Sequence, residues 1–521
     1  MRKPSSLEQW VVASAASTLV AAVVTPVAAR VNTWLGVVTA IVCLAPVRWI
    51  ARLAPSAFAG GLRRHPFLAV IWFLLTIAAV AQLGRLSAFM ADSSQLWGSA
   101  VPDPAAARHQ CVSAYVYAAD LSRRGEHNIY DSRLYPAFTE PPGTLTGMVS
   151  PVLGLGPWID DPYQYPPPFL LLPRFALALT RSFETIRTSW FVLQTLMWLA
   201  GSLLLAAWIG GREGRTVTLL IPLVLMSIPS LLNLQFGQFH AMVFLLALAG
   251  LIAFDHERSS LGGALVAFAI VAKIFPAVVL IGLAAQRRWR DVLSTLAWGC
   301  GLSIVALAIL GRDPFDAFLT YQLPRLADGS AFSFISRAGT PVFFTSRNFS
   351  IGAIVPKLRL LGLNGLPPQT SAVLSLVYAV TVVWLAWRGT PGERSRLRRA
   401  QRWLAALNLA SLGSPLAPSA YVVAPTLWLL ALLAGEIHGR PRRAVSIGAA
   451  WVVTVGAPPL PDPIDLTAGL IAQAVVVAVN VWALLRTARA IEADGKENVD
   501  AVDGSIGVAP DGRRLRWTLL R

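Results

Sequence analysis

Residues 190–209 read WFVLQTLMWLAGSLLLAAWI, twenty residues without a charged side chain. An α-helix rises about 1.5 Å per residue, so this stretch is long enough to cross the roughly 30 Å hydrocarbon core of a bilayer. Comparable apolar runs recur along the chain: 55% of its 521 residues are hydrophobic and only 14% are charged. Such a composition cannot cover the surface of a soluble protein of this size. The sequence therefore predicts an all-α protein, a polytopic transmembrane helical bundle.

The charge distribution orients this bundle. The net charge of +17 comes mostly from arginines between apolar runs, as in Arg212–Arg215 and Arg394–Arg402. Basic loops are held on the cytoplasmic side of a membrane, so this excess charge does not indicate a nucleic-acid partner. The alternation predicts about 12 crossings of the plasma (inner) membrane with both termini cytoplasmic. We expect four parts: an N-terminal transmembrane pair (1–65), a membrane core (66–435), C-terminal transmembrane helices (436–487) and a cytoplasmic tail (488–521).

Two apolar segments do not fit a simple crossing. Pro166–Leu179 is short and contains Arg174, so we expect a re-entrant or interfacial segment, because a span needs about 20 residues. Leu261–Ala285 is interrupted by Lys273 and Pro276. A pair of half-helices with Lys273 near the bend fits that pattern.

Two long polar stretches, residues 91–165 and 311–369, are predicted as outer loops. The first contains several acids in a chain that has few. Asp92 lies closest to a membrane exit, and a carboxylate there could accept a proton from a hydroxyl group. Asp103 and Asp120 are the rival candidates. For each of these three acids, a solvated or helix-capping role is the more common one.

Polar residues near the membrane suggest a site for an anion. Lys273 has apolar neighbours beside a proline, which is typical of a buried cation facing an anion, although a lysine that extends to the interface fits as well. Gln238 and His240 adjoin two spans and either line a wet cavity or cap a helix. Arg347 and Asn348 suit phosphate and sugar hydroxyls, or lipid headgroups.

Other chemistries lack their sequence signatures. The chain has no Walker A loop, no His/Cys metal spacing and no nucleophile elbow, so we expect neither a metal nor a cofactor. The spans contain very few acids, unlike the core of a proton-coupled transporter.

Six short motifs occur in a fixed order within residues 66–435. They are Tyr115-x-Tyr117 with Ile129-Tyr130-Asp131, Tyr165-Pro166-Pro167-Pro168, Gly237-Gln238, Ala272–Pro276 with Arg287–Arg290, Asn348–Ser350, and Ser414-Pro415. This ordered set resembles the polytopic glycosyltransferases of family 87 in the GT-C superfamily. The resemblance implies a GT-C-like bundle that transfers mannose or arabinofuranose from a polyprenyl-phosphate donor to a cell-envelope glycolipid or polysaccharide, on the outer face and with inversion.

The resemblance also implies roles for the candidate residues. The donor phosphate would be bound by three cations: Lys273, Arg347 and His240. The substrates would be bound by Tyr117, Tyr165, Gln238 and Asn348. The family's acidic residue before the Tyr-containing helix is replaced here by His109-Gln110-Cys111, so the catalytic base would be Asp92 or Asp103. The same replacement fits an alternative: a non-catalytic carrier or transporter of lipid-linked glycans, or a degenerate homologue.

Overall fold

The computed structural model describes residues 7–31, 33–44, 66–100, 107, 109–135, 158–160, 162–332, 342–367, 369–388, 395–437, 441–455 and 460–504. Regular structure in these ranges is almost entirely helical, which confirms the expectation of an all-α protein. The two strands found there, β1 (His109–Gln110) and β2 (Ile159–Asp160), are two residues long and pair in parallel.

Twenty-one α-helices occur in the described residues. Those that begin before residue 300 are α1 (Leu7–Val31), α2 (Thr33–Leu44), α3 (Pro66–Ala91), α4 (Cys111–Arg123), α5 (Leu171–Leu179), α6 (Phe183–Ile209), α7 (Gly211–Leu225), α8 (Ile228–Phe236), α9 (His240–Asp255), α10 (Ser259–Ala272), α11 (Val278–Ala285) and α12 (Trp289–Leu310). The remaining helices are α13 (Asp313–Ala317), α14 (Leu323–Ala327), α15 (Val342–Ser346), α16 (Ile354–Leu360), α17 (Thr370–Trp387), α18 (Arg396–Leu412), α19 (Ser419–Ala434), α20 (Pro441–Val455) and α21 (Asp462–Gly504).

Helix length sets how many of these elements can cross a membrane. Within the described residues, six helices are long and apolar enough to do so: α1, α3, α6, α12, α17 and α21. The bent pair α7–α8 makes seven if it is one span. The chain is thus a multi-pass membrane protein, and about 12 crossings would also require the shorter apolar helices.

The apolar run of residues 217–234 does not form one straight helix. The structure divides it into α7 and α8, whose axes differ by 66°. Ser227 has an extended backbone between them, and Pro229 occupies the first turn of α8. A proline is tolerated there because its missing N–H would have no partner in the first turn.

The predicted break at Lys273 is confirmed. Helix α10 ends at Ala272, Lys273 has an extended backbone (φ −150°, ψ 132°), and the 3₁₀ turn Phe275–Ala277 begins the next half-helix. Likewise, Pro167–Leu170 forms a 3₁₀ turn that leads into the nine-residue α5. Both irregular turns place an aromatic side chain at the start of α9: Phe275 packs against His240, and Phe169 packs against Phe239.

Apolar side chains on the outside of the bundle fit a lipid environment. On α12, Leu293 and Ile304 are 63% and 66% exposed, and on α17 Leu376 is 66% exposed. Helices α9 and α19, by contrast, are buried along most of their length. The polar site described next lies at the N-terminal ends of these two central helices.

Candidate active site

The turn Gly237–His240 joins α8 to α9 and is fixed by close packing. Gly237 has a left-handed backbone (φ +63°), and a Cβ atom there would lie 2.1 Å from Cγ2 of Val112. Only glycine meets both conditions, since L-residues with a side chain rarely adopt this conformation. The Gly237 carbonyl accepts hydrogen bonds from Trp190 Nε1 (3.0 Å) and Gln194 Nε2 (3.3 Å). The turn is therefore held between α4 and α6.

Gln238 connects three parts of the chain through its side-chain amide. Its Oε1 accepts hydrogen bonds from the hydroxyls of Tyr115 (2.8 Å) and Tyr165 (3.0 Å). Its Nε2 lies 3.5 Å from Cys111 Sγ. The amide is buried, so these bonds compensate for the water it has lost. Two residues predicted to bind substrate, Gln238 and Tyr165, are thus in direct contact.

The Lys273 ammonium faces the same group of side chains. Its Nζ lies 4.8 Å from the centre of the Tyr165 ring, within the range of a cation–π interaction. Lys273 is only partly buried. In the part of the chain that the structure describes, no carboxylate pairs with it. The cation therefore keeps its capacity to bind an anionic ligand.

The imidazole of His240 belongs to the same group of side chains. It is the first residue of α9 and is 6% exposed. Its ring lies 5.0 Å from that of Phe275 and 6.0 Å from that of Tyr421. Its Nε2 is buried and has no hydrogen-bond partner among the described residues. A buried polar atom of this kind is costly unless a ligand or water satisfies it.

Cys111 and Tyr421 complete the cluster, and the sequence did not predict them as site residues. Cys111 Sγ lies 3.2 Å from the Tyr421 hydroxyl and 3.6 Å from His109 Nε2. Burial lowers the pKa of His109 to about 4, so its ring is neutral at pH 7. The replacement His109-Gln110-Cys111 therefore brings a neutral imidazole and a thiol to this site. We call Cys111, Tyr115, Tyr165, Gln238, His240, Lys273 and Tyr421 the central cluster.

Arg347 lies in a different group of contacts. Its Nη2 is 2.7 Å from Oδ1 of Asp465 at the start of α21, and this carboxylate is 3% exposed. Ser346 also donates a hydrogen bond to Asp465. The structure thus shows Arg347 paired with a carboxylate where the end of α15 meets the start of α21.

The Asn348 side chain forms hydrogen bonds with backbone groups. Its Oδ1 accepts hydrogen bonds from the N–H groups of Ser350 (3.1 Å) and Ala417 (3.0 Å), and its Nδ2 donates to the Pro415 carbonyl (3.3 Å). These bonds hold residues 415–418 immediately before α19, the helix that carries Tyr421. In this structure Asn348 therefore positions the central cluster from outside it.

Asp92 directly follows α3, and its carboxylate interacts with neighbouring side chains. Its carboxylate accepts hydrogen bonds from Ser94 Oγ (2.7 Å) and Gln95 Nε2 (3.3 Å), and Arg30 lies 3.4 Å away. The hydrogen bonds from Ser94, supported by Arg30, hold the pKa of Asp92 below its ordinary value. Asp92 is therefore ionised but a weak base, and its described contacts do not include the central cluster.

Two other predicted residues are not in the central cluster as described. Asp103 lies outside the described residues. Tyr117 is on α4, but its ring packs edge-on against Tyr135 at 5.3 Å. Tyr115, four residues after Cys111, is the tyrosine of this motif that reaches Gln238, because residues four apart share one face of a helix.

The central cluster combines cationic, hydroxyl and aromatic groups. This set of groups suits a phosphate beside a sugar, with the ammonium and hydroxyls as donors and the aromatic rings as apolar walls. Within the described residues, no three His, Cys, Asp or Glu side chains come together as metal ligands do.

Comparison with known proteins gives one match. The family model described as Glycosyltransferase family 87 matches residues 163–415. This range includes four members of the central cluster, namely Tyr165, Gln238, His240 and Lys273, and excludes α4. No curated protein and no solved structure matches the chain.

Proposed function

Because the chain belongs to glycosyltransferase family 87, a family of GT-C type membrane glycosyltransferases, we propose that it transfers a sugar from a polyprenyl-phosphate donor. The sugar would be mannose or arabinofuranose, and the acceptor a hydroxyl of a cell-envelope glycolipid or polysaccharide. The observation that carries the proposal is the Lys273 ammonium, which lies within the central cluster without a paired carboxylate among the described residues.

The proposed reaction is a single displacement at the anomeric carbon. The acceptor oxygen forms a bond to this carbon as the bond to the phosphate oxygen breaks, so the configuration inverts and the phosphate leaves with the electron pair. Lys273 and His240 stabilise the negative charge that develops on the phosphate. The hydroxyls of Tyr115 and Tyr165 are held by Gln238 at the same place. Arg347 remains a proposed third phosphate ligand, and Tyr117 and Asn348 remain proposed substrate contacts.

A carboxylate must accept the acceptor proton, and Asp103 and Asp92 are the proposed bases. A general base works best when its pKa lies near the operating pH. The pKa of Asp92 is lowered by Ser94, Gln95 and Arg30, which makes Asp92 the weaker base. We therefore favour Asp103.

The proposed topology follows the positive-inside rule. We propose about 12 crossings of the plasma membrane, both termini in the cytoplasm, and the loops 91–165 and 311–369 on the outer face. The proposed division is a transmembrane pair (1–65), a core (66–435), C-terminal helices (436–487) and a tail (488–521).

The test measures transfer of labelled sugar from polyprenyl-phosphate mannose or arabinose in membranes that contain the full chain. Removing one donor to a developing charge costs about 100- to 1,000-fold in rate, so Lys273→Ala should lower transfer by that factor. The control is Lys357→Met, because Lys357 is a second lysine with a cation–π contact: its Nζ lies 5.0 Å from the centre of the Phe349 ring and donates to Gln473. Lys357→Met should change stability and leave transfer per folded molecule within a few-fold.

Asp103→Asn and Asp92→Asn separate the proposed bases. We expect Asp103→Asn to abolish transfer and Asp92→Asn to reduce it only slightly. If the unmodified protein transfers sugar from neither donor, the proposed glycosyltransferase activity is wrong and the carrier alternative is favoured. Donor binding without transfer would also favour that alternative.

A further inference from the structure

A cationic cleft lies outside the central cluster. It has a volume of about 430 Å³ and is formed where the end of α4 meets the end of α5. Three arginines line it, Arg123, Arg174 and Arg181, together with Thr180 and the apolar side chains of residues 177–179. Neither the family motifs nor the proposed reaction uses these arginines.

The positive charge in the cleft exceeds what the described residues neutralise. Asp120 pairs with Arg123 at 2.7 Å and with Arg124 at 2.5 Å. Arg174 Nη1 is buried and has no hydrogen-bond partner among the described residues, and Arg181 is exposed. The three lining arginines, the Asp120 carboxylate and two helix C-termini of about −0.5 each leave a net charge of about +1. That excess matches a phosphate group.

Helix α5 also indicates where the cleft sits. Phe175 and Leu179, one turn apart, are 62% and 73% exposed, so one face of the helix presents apolar side chains outward. Arg174, next to Phe175 in the chain, lines the cleft together with Leu179, so the apolar face of the helix adjoins the cleft. An amphipathic helix of this kind lies in the plane of the membrane interface, with its apolar face in the acyl region. The cleft is therefore at the level of lipid headgroups.

We propose that Arg123, Arg174 and Arg181 form a binding site for the phosphate of an anionic lipid headgroup. The lipid's acyl chains would lie along Phe175 and Leu179, while the guanidinium groups donate to the phosphate oxygens. The site is separate from the central cluster and does not depend on the proposed function. It would fix the position of α5, which directly follows the corner that carries Tyr165.

The test uses the full chain purified in detergent. The melting temperature is followed while phosphatidylglycerol, phosphatidylcholine or inorganic phosphate is added. Phosphatidylglycerol should raise it most. A basic residue near an anionic membrane surface contributes about fivefold in affinity, so Arg174→Gln and Arg181→Gln should each raise the half-saturating phosphatidylglycerol concentration by about that factor. Arg181 is exposed, so its variant remains informative if Arg174→Gln does not fold.

The matched control is Arg290→Gln, which removes an exposed arginine at the start of α12. It should leave the half-saturating concentration unchanged. The proposal would be overturned if phosphatidylcholine stabilised the protein as much as phosphatidylglycerol does, or if Arg290→Gln weakened phosphatidylglycerol binding as much as the cleft variants do. Stabilisation by inorganic phosphate alone that equals that of phosphatidylglycerol would overturn the lipid as the source of the phosphate. If the cleft variants bind phosphatidylglycerol normally, the arginines only cap their helices.

Discussion

The Lys273 ammonium lies 4.8 Å from the centre of the Tyr165 ring, across a helix break and a proline-rich corner that are more than 100 residues apart in the chain. The ring supplies attraction without neutralising the charge, as a carboxylate would. This contact therefore holds the cation in place and leaves it available to an anionic ligand. It is the feature from which the proposed chemistry follows.

The first prediction separates the ring of Tyr165 from its hydroxyl. Cation–π contacts contribute about 0.5–2 kcal/mol, so Tyr165→Leu should raise the donor KM by about 2- to 30-fold. Tyr165→Phe keeps the ring and should change KM less. Donor titrations of both variants in the transfer assay check this. A larger loss in Tyr165→Phe than in Tyr165→Leu would show that the hydroxyl, through Gln238, matters more than the ring.

The second prediction concerns Gln238, whose Oε1 accepts from two buried hydroxyls. Gln238→Leu leaves these donors without their acceptor and should lower the free energy of unfolding by about 1–3 kcal/mol. The control Gln369→Leu removes an exposed amide that makes no capping hydrogen bond, and it should have little effect.

A double variant makes this second prediction sharper. Tyr115→Phe removes one of the hydroxyls that Gln238→Leu leaves unpaired. The double variant should therefore lose less stability than the sum of the losses in the two single variants. Melting temperatures of the four proteins provide the comparison. Strict additivity would mean that the Tyr115–Gln238 hydrogen bond contributes nothing.

The third prediction tests whether Arg347 has a structural role. Removing one partner of a buried ion pair costs about 3–5 kcal/mol, whereas replacing both by apolar residues is often close to neutral. Arg347→Met and Asp465→Leu should each lower the melting temperature strongly, and the double variant should recover most of the loss. If instead Arg347→Met keeps its stability and loses donor affinity, Arg347 binds phosphate as the sequence predicts.

Local patterns predicted the helix break at Lys273, because a charged residue close to Pro276 in an apolar run rarely continues a straight membrane helix. The family motifs also selected Gln238 and Tyr165, which do meet. The roles of Arg347 and Asn348 could not be predicted as well, since their partners Asp465 and Ala417 are distant in sequence. A short polar motif alone cannot show whether its side chains are free for a ligand.

The central cluster also contains residues that no sequence pattern selected. Tyr421 reaches Cys111 across 310 positions, and nothing local to either residue indicates the contact. Tyr115 could have been preferred to Tyr117, since Cys111 and Tyr115 share a face of α4 once the helix is known to begin at Cys111. The bend between α7 and α8 leaves little signal in the sequence, because the run is apolar on both sides of it and a proline alone does not mark the break: Pro222 lies inside α7, and Pro229 lies in the first turn of α8.

The last prediction uses the lowered pKa of His109. Burial lowers it from 6.5 to about 4, so between these values the unfolded chain binds more protons than the folded one. Stability then falls as the pH decreases from 6.5 to 4 and is unaffected by this residue above 6.5, with a slope of at most about 1.4 kcal/mol per pH unit. His109→Gln should flatten the dependence of the melting temperature on pH in this window and leave it unchanged above pH 7. Equal slopes for both proteins would mean that His109 titrates normally, and the imidazole beside Cys111 would then be charged below pH 6.5.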